Sequence, residues 1–522
     1  ICRNNGIGIQ MTGYLGPTFF SDQVIINNQI HNNTYFTNVD SQPYGITMGG
    51  YCRSDIIRGN NITGHIGQTT TGVFIGMGIR VWEPAAYNII ENNNVSNNVV
   101  GIHGGYPEFQ HHMILNNSVW NNKNYGIHTE HGDAFNVIDN NTVGKSGSVG
   151  IVLEYINTGP PLYDQVSKNT LIDNLYGIKI SNSRDDIPTP IPISNYISIE
   201  NNMITGSYCG VILGYAKNNT IFSNQISGCN RGIWCLYSSE DNTFKDNVVT
   251  GNSYGFYLQS ANNTIYHNNI INNTVQAYDE SYNLWDNGYP SGGNYWSDYT
   301  GTDMMSGPNQ NLPGSDGIGD LPYNSTTGQG IQGGSNVDRY PLMSSPAFAE
   351  FSIPVHPGWN LISLPVIPDD CSLPNALLDK GGDTNWSRVL WYDTSAPTWA
   401  RWKQYYTAWD PSLNDLTKMD HTMGVWLYVT DAGDGFLTIK GRLPMKTSIQ
   451  LYAGWNMVGY PAIDDSTYTV WDLKNDTGAS TVEGFDATSP YLTKVLGNTY
   501  LLKRGEGYWV HVSAGTTWTV DW

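Results

Sequence analysis

The sequence predicts an all-β chain, a right-handed parallel β-helix followed by two β-sandwich-like modules. Three observations carry this. A glycine followed by an aliphatic or aromatic residue recurs in YGITM, VGIHG, YGIHT, VGIVL, YGIKI, CGVIL, RGIWC and YGFYL, and from Gly101 the steps are 22 to 27 residues with one of 33. Two further strand-length runs lie between these glycines, as in NNTIF, DNTFK and NNTIY, then SNQIS, DNVVT and HNNII. After residue 345 the pattern changes, and HPGWNLISLPV is echoed by YAGWNMVGYPA, MGVWLYV by EGYWVHV.

Three strands of four or five residues in a turn of about 22 residues fit coils that stack about 4.8 Å apart. Asn suits the bends, because it tolerates left-handed backbone and bonds its own chain. Stacking then aligns the Asn residues in ladders. Runs of Ile, Val, Thr and Phe stop at strand length, which excludes an α-solenoid. SRDDIPTPIPIS, inside the 33-residue step, reads as a surface loop. The expected division is residues 1–282 for the coils, 283–345 for a cap and linker with an Asp/Gly-rich loop, and 346–443 and 444–522 for the modules.

Composition bounds the function. Charged residues make up 13% and the formal charge is −20, against nucleic-acid binding, which needs basic patches. No run reaches the roughly 18 apolar residues of a membrane span. The chain opens as ICRNNGIGIQ, mid-repeat and with no initiator Met or signal pattern, so a preceding segment is expected, removed or not seen. Cys2, Cys52, Cys209, Cys229, Cys235 and Cys371 contain no C-x-x-C pair. Cys209, Cys229 and Cys235 fall in neighbouring coils, as one disulfide or as buried thiols.

Alternation assigns faces to the strand after each glycine. Ile102, Ile127, Ile151, Ile178, Val211, Ile233 and Phe256 should point inward. His103, His128, Val152, Lys179, Ile212, Trp234 and Tyr257 should point outward, as should Glu130, Glu154 and Leu236. His103 and His128 then sit one rung apart on an exposed sheet beside Glu130 and Glu154, with Glu108, His111 and His112 in the loop between. These four residues could bind a transition metal or act as acid and base; carbohydrate lyases, hydrolases and epimerases with β-helix folds work from such a face. The alternative is a solvated polar wall. Ile212, Trp234, Leu236 and Tyr257 form an outward apolar patch, the mark of a contact surface or of cover by another part of the chain.

After the coils come GGNYWSDYTGTD, DGIGDLPY and VDRYPL. With these phrases the sequence resembles the NosD-like parallel β-helix proteins, common in archaeal cell-surface polypeptides, over residues 1 to 345. The family takes its name from a periplasmic protein implicated in supplying copper to nitrous oxide reductase. This chain has no Met/His/Cys-dense copper motif, and its histidines match no family motif. The resemblance therefore implies fold and extracytoplasmic location rather than copper delivery. SDGIGD resembles a calcium loop, with Asp316 and Asp320 as ligands and Asp298 and Asp303 as helpers; its alternative is an Asp/Gly turn closing the solenoid. Calcium is the one cofactor expected, with no organic cofactor.

Twelve of the 17 tryptophans lie in the last two modules. Those of the GWN and YWV strands should pack in cores and between modules. TWARWKQYYTAWD, with Trp399, Trp402, Tyr405, Tyr406 and Trp409, is a candidate for binding sugar rings or a protein partner. The chain has eleven N-x-S/T sequons; many fall out of the repeat, and Asn324, Asn385 and Asn475 outside the coils are candidate glycosylation sites. The expected function is an extracellular structural or adhesive protein that self-assembles into a surface layer, sheath or filament, without an active site. Its partners would be itself, other surface proteins or glycans. The alternatives are a polysaccharide lyase or hydrolase using His103, His128, Glu130 and Glu154, and a passive glycan-binding protein.

Overall fold

A computed structural model of the chain describes residues 2–3, 6–12, 20–34, 43–50, 52–69, 71–82, 85–105, 110–130, 134–154, 162–181, 193–236, 238–345, 348–368, 370–377, 385–443, 447–462, 467–485 and 493–520. The chain forms two units. The first comprises Ile1–Asp286, Asn294–Tyr299 and Tyr323–Asp338; the second comprises Asn287–Gly293, Thr300–Pro322 and Arg339–Trp522. The expected 283–345 cap is therefore shared between them.

The first unit is the predicted right-handed parallel β-helix. Three all-parallel sheets of 12, 12 and 10 strands run along it. The sheet built from the glycine-led strands, here the front sheet, runs from Ile7–Thr12 to Ile331–Gln332 and includes Val100–Gly105, Tyr125–Glu130, Val149–Glu154 and Tyr176–Ser181. Its inward column pairs in register from Ile102 through Ile127, Ile151, Ile178, Val211 and Ile233 to Phe256. Every one of these side chains is fully buried in one continuous core. The glycine beside them is required by crowding. A Cβ on Gly126 would lie 2.3 Å from Val143 Cγ1 and 2.5 Å from the Gly150 carbonyl.

The Asn ladders form as expected. In the corner between the two side sheets, each Asn amide Oδ1 accepts the backbone N–H of the coil before it. The row runs Asn93, Asn117, Asn141, Asn169, Asn202, Asn224, Asn247, Asn268 and Asn294. It ends on Asp338, whose carboxylate takes the Asn294 N–H at 2.7 Å. The bends hold left-handed residues, such as Asn92, Asn116 and Asn140 at φ 55–56°. Two further rows occupy the other corners. They hold mixed residues at the same geometry: Asp55, Asn88, His112, Asn136 and Asp164 in one, and His65, Asn98, Asn122 and Asn174 among others in the next.

His112, Asn117 and Asn122 stand five residues apart, as do Asn136, Asn141 and Ser146, and Asn242, Asn247 and Asn252. Coil length varies on either side of the front strand: before it from 3 residues between Asn98 and Gly101 to 13 between His65 and Gly78, and after it from 8 residues between Gly255 and Asn263 to 20 between Gly177 and Ile197. The insertion SRDDIPTPIPIS falls there, mostly outside the described residues.

The phrases that follow the coils close the core. Trp296 stacks on Tyr323 with centroids 4.0 Å apart, and both are buried. Trp296 Nε1 donates to Asp338, and Trp285 Nε1 donates to Asp279. Plugging the open end with aromatic rings and satisfying their N–H groups replaces the next coil.

In the second unit each C-terminal module pairs a two-stranded antiparallel sheet with a four-stranded one. The first joins Phe348–Val355 to Gly435–Arg442, the second Thr447–Leu451 to Thr516–Val520. Each has its own core, one around Leu364, Val389, Val425 and Leu437, the other around Val458, Val482, Val510 and Trp518. The tryptophans of the GWN and YWV strands lie outside both cores. Trp359, Trp426, Trp455 and Trp509 are half-buried, and Trp426 meets Phe485 across the modules. The packing between modules is as expected; the core role belongs to Trp518, because the outer face of each four-stranded sheet is where these columns fall.

Candidate functional site

The front sheet carries its outward column in register: Arg80, His103, His128, Val152, Lys179, Ile212, Trp234, Tyr257 and Tyr278. Beside it run Trp82, Gly105, Glu130, Glu154 and Ser181. The predicted neighbours do meet. His103 Nε2 lies 3.0 Å from Glu130 Oε1, and His128 Nε2 lies 3.4 Å from Glu130 Oε2 and 3.2 Å from Glu154 Oε2. The imidazoles contact edge to face at 5.2 Å. Gly105 leaves the room that Glu130 fills, since a Cβ there would sit 2.5 Å from Glu130 Cγ.

The expected exposure is corrected. His103 and His128 are each 6% exposed, and Glu130 and Glu154 are only partly accessible. Ile212 on the same face is 3% exposed, and Trp234, Leu236 and Tyr257 are half-buried. Alternation gives the direction of a side chain, but burial depends on what lies over it. Burial lowers the His103 pKa, and the Glu130 hydrogen bond opposes that shift only in part. His103 is therefore a neutral imidazole at neutral pH. His128 Nε2 is buried with no hydrogen-bond partner among the described residues.

His111 and His112, expected in a loop beside this site, belong to a corner. The His112 Nδ1 accepts the Asn88 N–H at 3.3 Å and its Nε2 donates to the Ala85 carbonyl at 2.9 Å, so it stands where other coils place Asn. His111 stacks between Tyr87 and Phe135, in a row continued by Tyr163 and Tyr196 at 5.2 Å spacings. The sequence reading missed that row. Its signal is an aromatic residue immediately before the corner position in successive coils: Tyr87, His111, Phe135, Tyr163, Tyr196. Glu108, His131 and Asp133 lie outside the described residues.

A second feature was also missed. Arg231 donates to the Tyr208 hydroxyl at 2.6 Å, and its guanidinium lies 4.3 Å from the Trp234 ring and 4.5 Å from the Tyr257 ring. Tyr257 stacks on Tyr278 at 4.9 Å, and Trp234 Nε1 donates to Gln259. Lys179 thus shares the face two rungs from His128, and the aromatic rings and the arginine share it about four to five rungs, or roughly 20 Å, away.

The acidic residues read as calcium ligands serve as hydrogen-bond acceptors. Asp303 accepts the N–H groups of Asp316 and Gly317, Asp316 those of Gly307 and Ile318, and Asp320 those of Met304 and Met305. Burial pushes Asp303 up to about 6. Asp298 belongs to the first unit and accepts from Tyr323, Gln276 and Gln329. Calcium at the Asp303–Asp316–Asp320 turn would have to compete with these backbone amides. Among the described residues, the groups whose ligand atoms converge to metal distance are His103, His128 and Glu130.

The aromatic cluster divides. Trp399 is 89% exposed on a turn; Trp402 meets Tyr392 and Trp509; Tyr405 packs on the first module's core; and Tyr406 meets Trp409 and Arg388. Of the candidate glycosylation sites, Asn385 and Asn475 are exposed and Asn324 half-buried, with Asn475 in the helix Val470–Thr477. Cys209, Cys229 and Cys235 are thiols, with no bridge among them. Burial raises Cys229 to about 11, which keeps it in the unreactive thiol form.

Residues 69–188 and 191–301 match the family of the periplasmic copper-binding protein NosD. Over these residues the parallel β-helix is similar to NosD-like proteins; the match carries no sign of an archaeal source. No curated protein sequence matches the chain. Among solved structures it is similar to the tailspike protein of E. coli bacteriophage HK620 in complex with pentasaccharide, at 10% identity and TM-score 0.40, over 82% of this chain and 75% of that one. It is also similar to the periplasmic alginate epimerase AlgG, at 16% identity and TM-score 0.34, over 50% and 57%. XylC with xylose follows at 14% and 0.29, over 40% and 42%. The chain spans about half the length of these last two. Within the chain no described helix is long and apolar enough to cross a membrane.

Proposed function

We propose that this is an exported β-helix protein that holds a polysaccharide along its front sheet. The observation behind this reading is the composition of one outward face. Four ionisable groups, His103, His128, Glu130 and Glu154, are gathered at one end and Trp234, Tyr257, Tyr278 and Arg231 at the other. A wall that served only as a spacer would gain nothing from burying imidazoles and carboxylates, which costs free energy unless each is paired. Aromatic faces suit the C–H faces of sugar rings, and Arg231 and Lys179 suit their acidic substituents.

Affinity electrophoresis in gels containing neutral and uronate-rich polysaccharides tests this. At least one polymer should retard the chain, and Trp234→Ala or Tyr257→Ala should weaken that retardation tenfold or more. No retardation by any polymer, or retardation indifferent to both substitutions, would remove the reading. The close approach of His128 to two carboxylates favours a second reading, acid–base cleavage of the bound polymer. In that case Glu130→Gln and Glu154→Gln would each abolish release of new chain ends while leaving retardation intact. Self-assembly through the coils and aromatic modules, expected from the sequence, would be read in the same preparations as particle mass by light scattering.

A further inference from the structure

We infer that His103, His128 and Glu130 form a binding site for a divalent transition-metal ion. This goes beyond the polysaccharide reading and does not depend on it. His103 Nε2, His128 Nε2 and a Glu130 carboxylate oxygen all lie within 4.8 Å of one another. An ion with bonds of about 2.0–2.2 Å places its ligand atoms roughly 3 to 4 Å apart, so small rotations of these side chains enclose it. The three donors stand on two adjacent strands in fixed register, and a parallel ladder gives them little freedom to disperse.

A second observation points the same way. His128 is 94% buried by its 6% exposure, and its Nε2 is aimed between Glu130 Oε2 at 3.4 Å and Glu154 Oε2 at 3.2 Å without making a hydrogen bond to a described residue. A buried polar atom left in that condition bears the penalty of its lost hydration. A cation between the imidazole and the carboxylates would satisfy it and would balance two acidic groups held side by side. Arg80, the neighbouring cation in the column, is turned to the Tyr44 hydroxyl at 2.8 Å.

The donor chemistry selects the ion. Two imidazole nitrogens and a carboxylate, with Glu154 in reach of a fourth position, suit Zn2+, Cu2+ or Ni2+. Cuprous copper prefers thiolate and thioether, and neither is among the three donors. Calcium would use oxygen alone. The site therefore fits copper only in its cupric form.

The test uses the full chain stripped with a chelator, then titrated calorimetrically with Zn2+ and separately with Cu2+. One tight equivalent is expected, weakened at least tenfold by His128→Ala and by Glu130→Gln, while Asn140→Gly leaves it unchanged. Should the variants fail to fold, electron paramagnetic resonance of one Cu2+ equivalent on the unaltered chain decides. Hyperfine coupling from two imidazole nitrogens supports the site. Oxygen-only ligation, no saturable binding, or binding indifferent to His103 and His128 overturns it. Polymer retardation is read without added metal, so the two proposals fail separately.

Discussion

Asn141→Ala should destabilise the coils by about 3–5 kcal/mol, the largest effect expected of any single substitution in the first unit. Asn141 Oδ1 accepts the Asn117 N–H at 2.9 Å, and its Nδ2 donates to the Ile114 carbonyl at 2.8 Å and to Asn169 Oδ1 at 3.0 Å. The residue is 1% exposed, so water cannot take over these partners. Removing the amide leaves a donor and an acceptor of neighbouring coils unsatisfied in the interior. Because each coil is stabilised mainly by its neighbours, the defect weakens both adjoining interfaces. Asn140→Gly is the matched control. Asn140 is exposed, with φ 56°, and glycine tolerates that backbone, so its cost should stay near zero. Urea denaturation of both variants measures the contrast. A cost under about 1 kcal/mol for Asn141→Ala would mean that the ladder does not support the fold.

The corner residues that depart from Asn should make stability depend on pH, in opposite directions. Burial drives the His112 pKa down to about 3. An unfolded histidine takes up a proton near 6.5 and the folded one does not. Stability present above that pH is therefore lost as the solution is acidified from about 6.5 toward 3. Burial drives Asp164 up to about 7. The folded chain keeps a proton that the unfolded chain releases near 3.8, so this contribution is full in acid and is lost as pH rises from about 4 to 7. Each unit of pH within a window is worth at most about 1.4 kcal/mol per group.

Asn at either position restores the residue type of the neighbouring coils. His112→Asn should gain on the parent below pH 6.5, with the gain growing toward pH 4. Asp164→Asn should gain above pH 4, most at pH 7 and beyond, where an amide can donate as Asn242 does to the Ala216 carbonyl. Melting temperatures from pH 4 to 8 would show two difference curves of opposite slope. Parallel curves would show that these groups titrate alike in the folded and unfolded chains.

The sequence exposed most of the coil because a two-residue alternation and a repeated glycine leave few registers. Ile102, Ile127 and Ile151 were placed inward on that ground and are fully buried. The juxtaposition of His103, His128, Glu130 and Glu154 followed from the same register. Their burial did not, because alternation gives the direction of a side chain and not what lies over it. His112 was read as a loop residue because imidazole is rare at a corner. Its nitrogen accepts a backbone N–H as an amide oxygen does, and its five-residue distance to Asn117 and on to Asn122 would have revealed the corner. Arg231 was missed for another reason. It precedes the glycine of RGIWC, a column that alternation leaves to either face. The turn at Asp316 was read as a calcium loop or as an Asp/Gly turn, and its carboxylates accept backbone amides.

The unequal spacing of the corners also bears on how such a protein can change over generations. Five residues separate successive corners on two sides of each coil, so a single inserted or deleted residue there would move a ladder Asn off its partner and reverse a strand's faces. The return after the front strand already varies from 8 to 20 residues without disturbing the rungs. The approach to the front strand varies too, from 3 to 13 residues, so insertions and deletions would be filtered to the two sides flanking the face with His103, His128 and Trp234. Descendants of this chain could exchange the rim of that face while inheriting its floor unchanged.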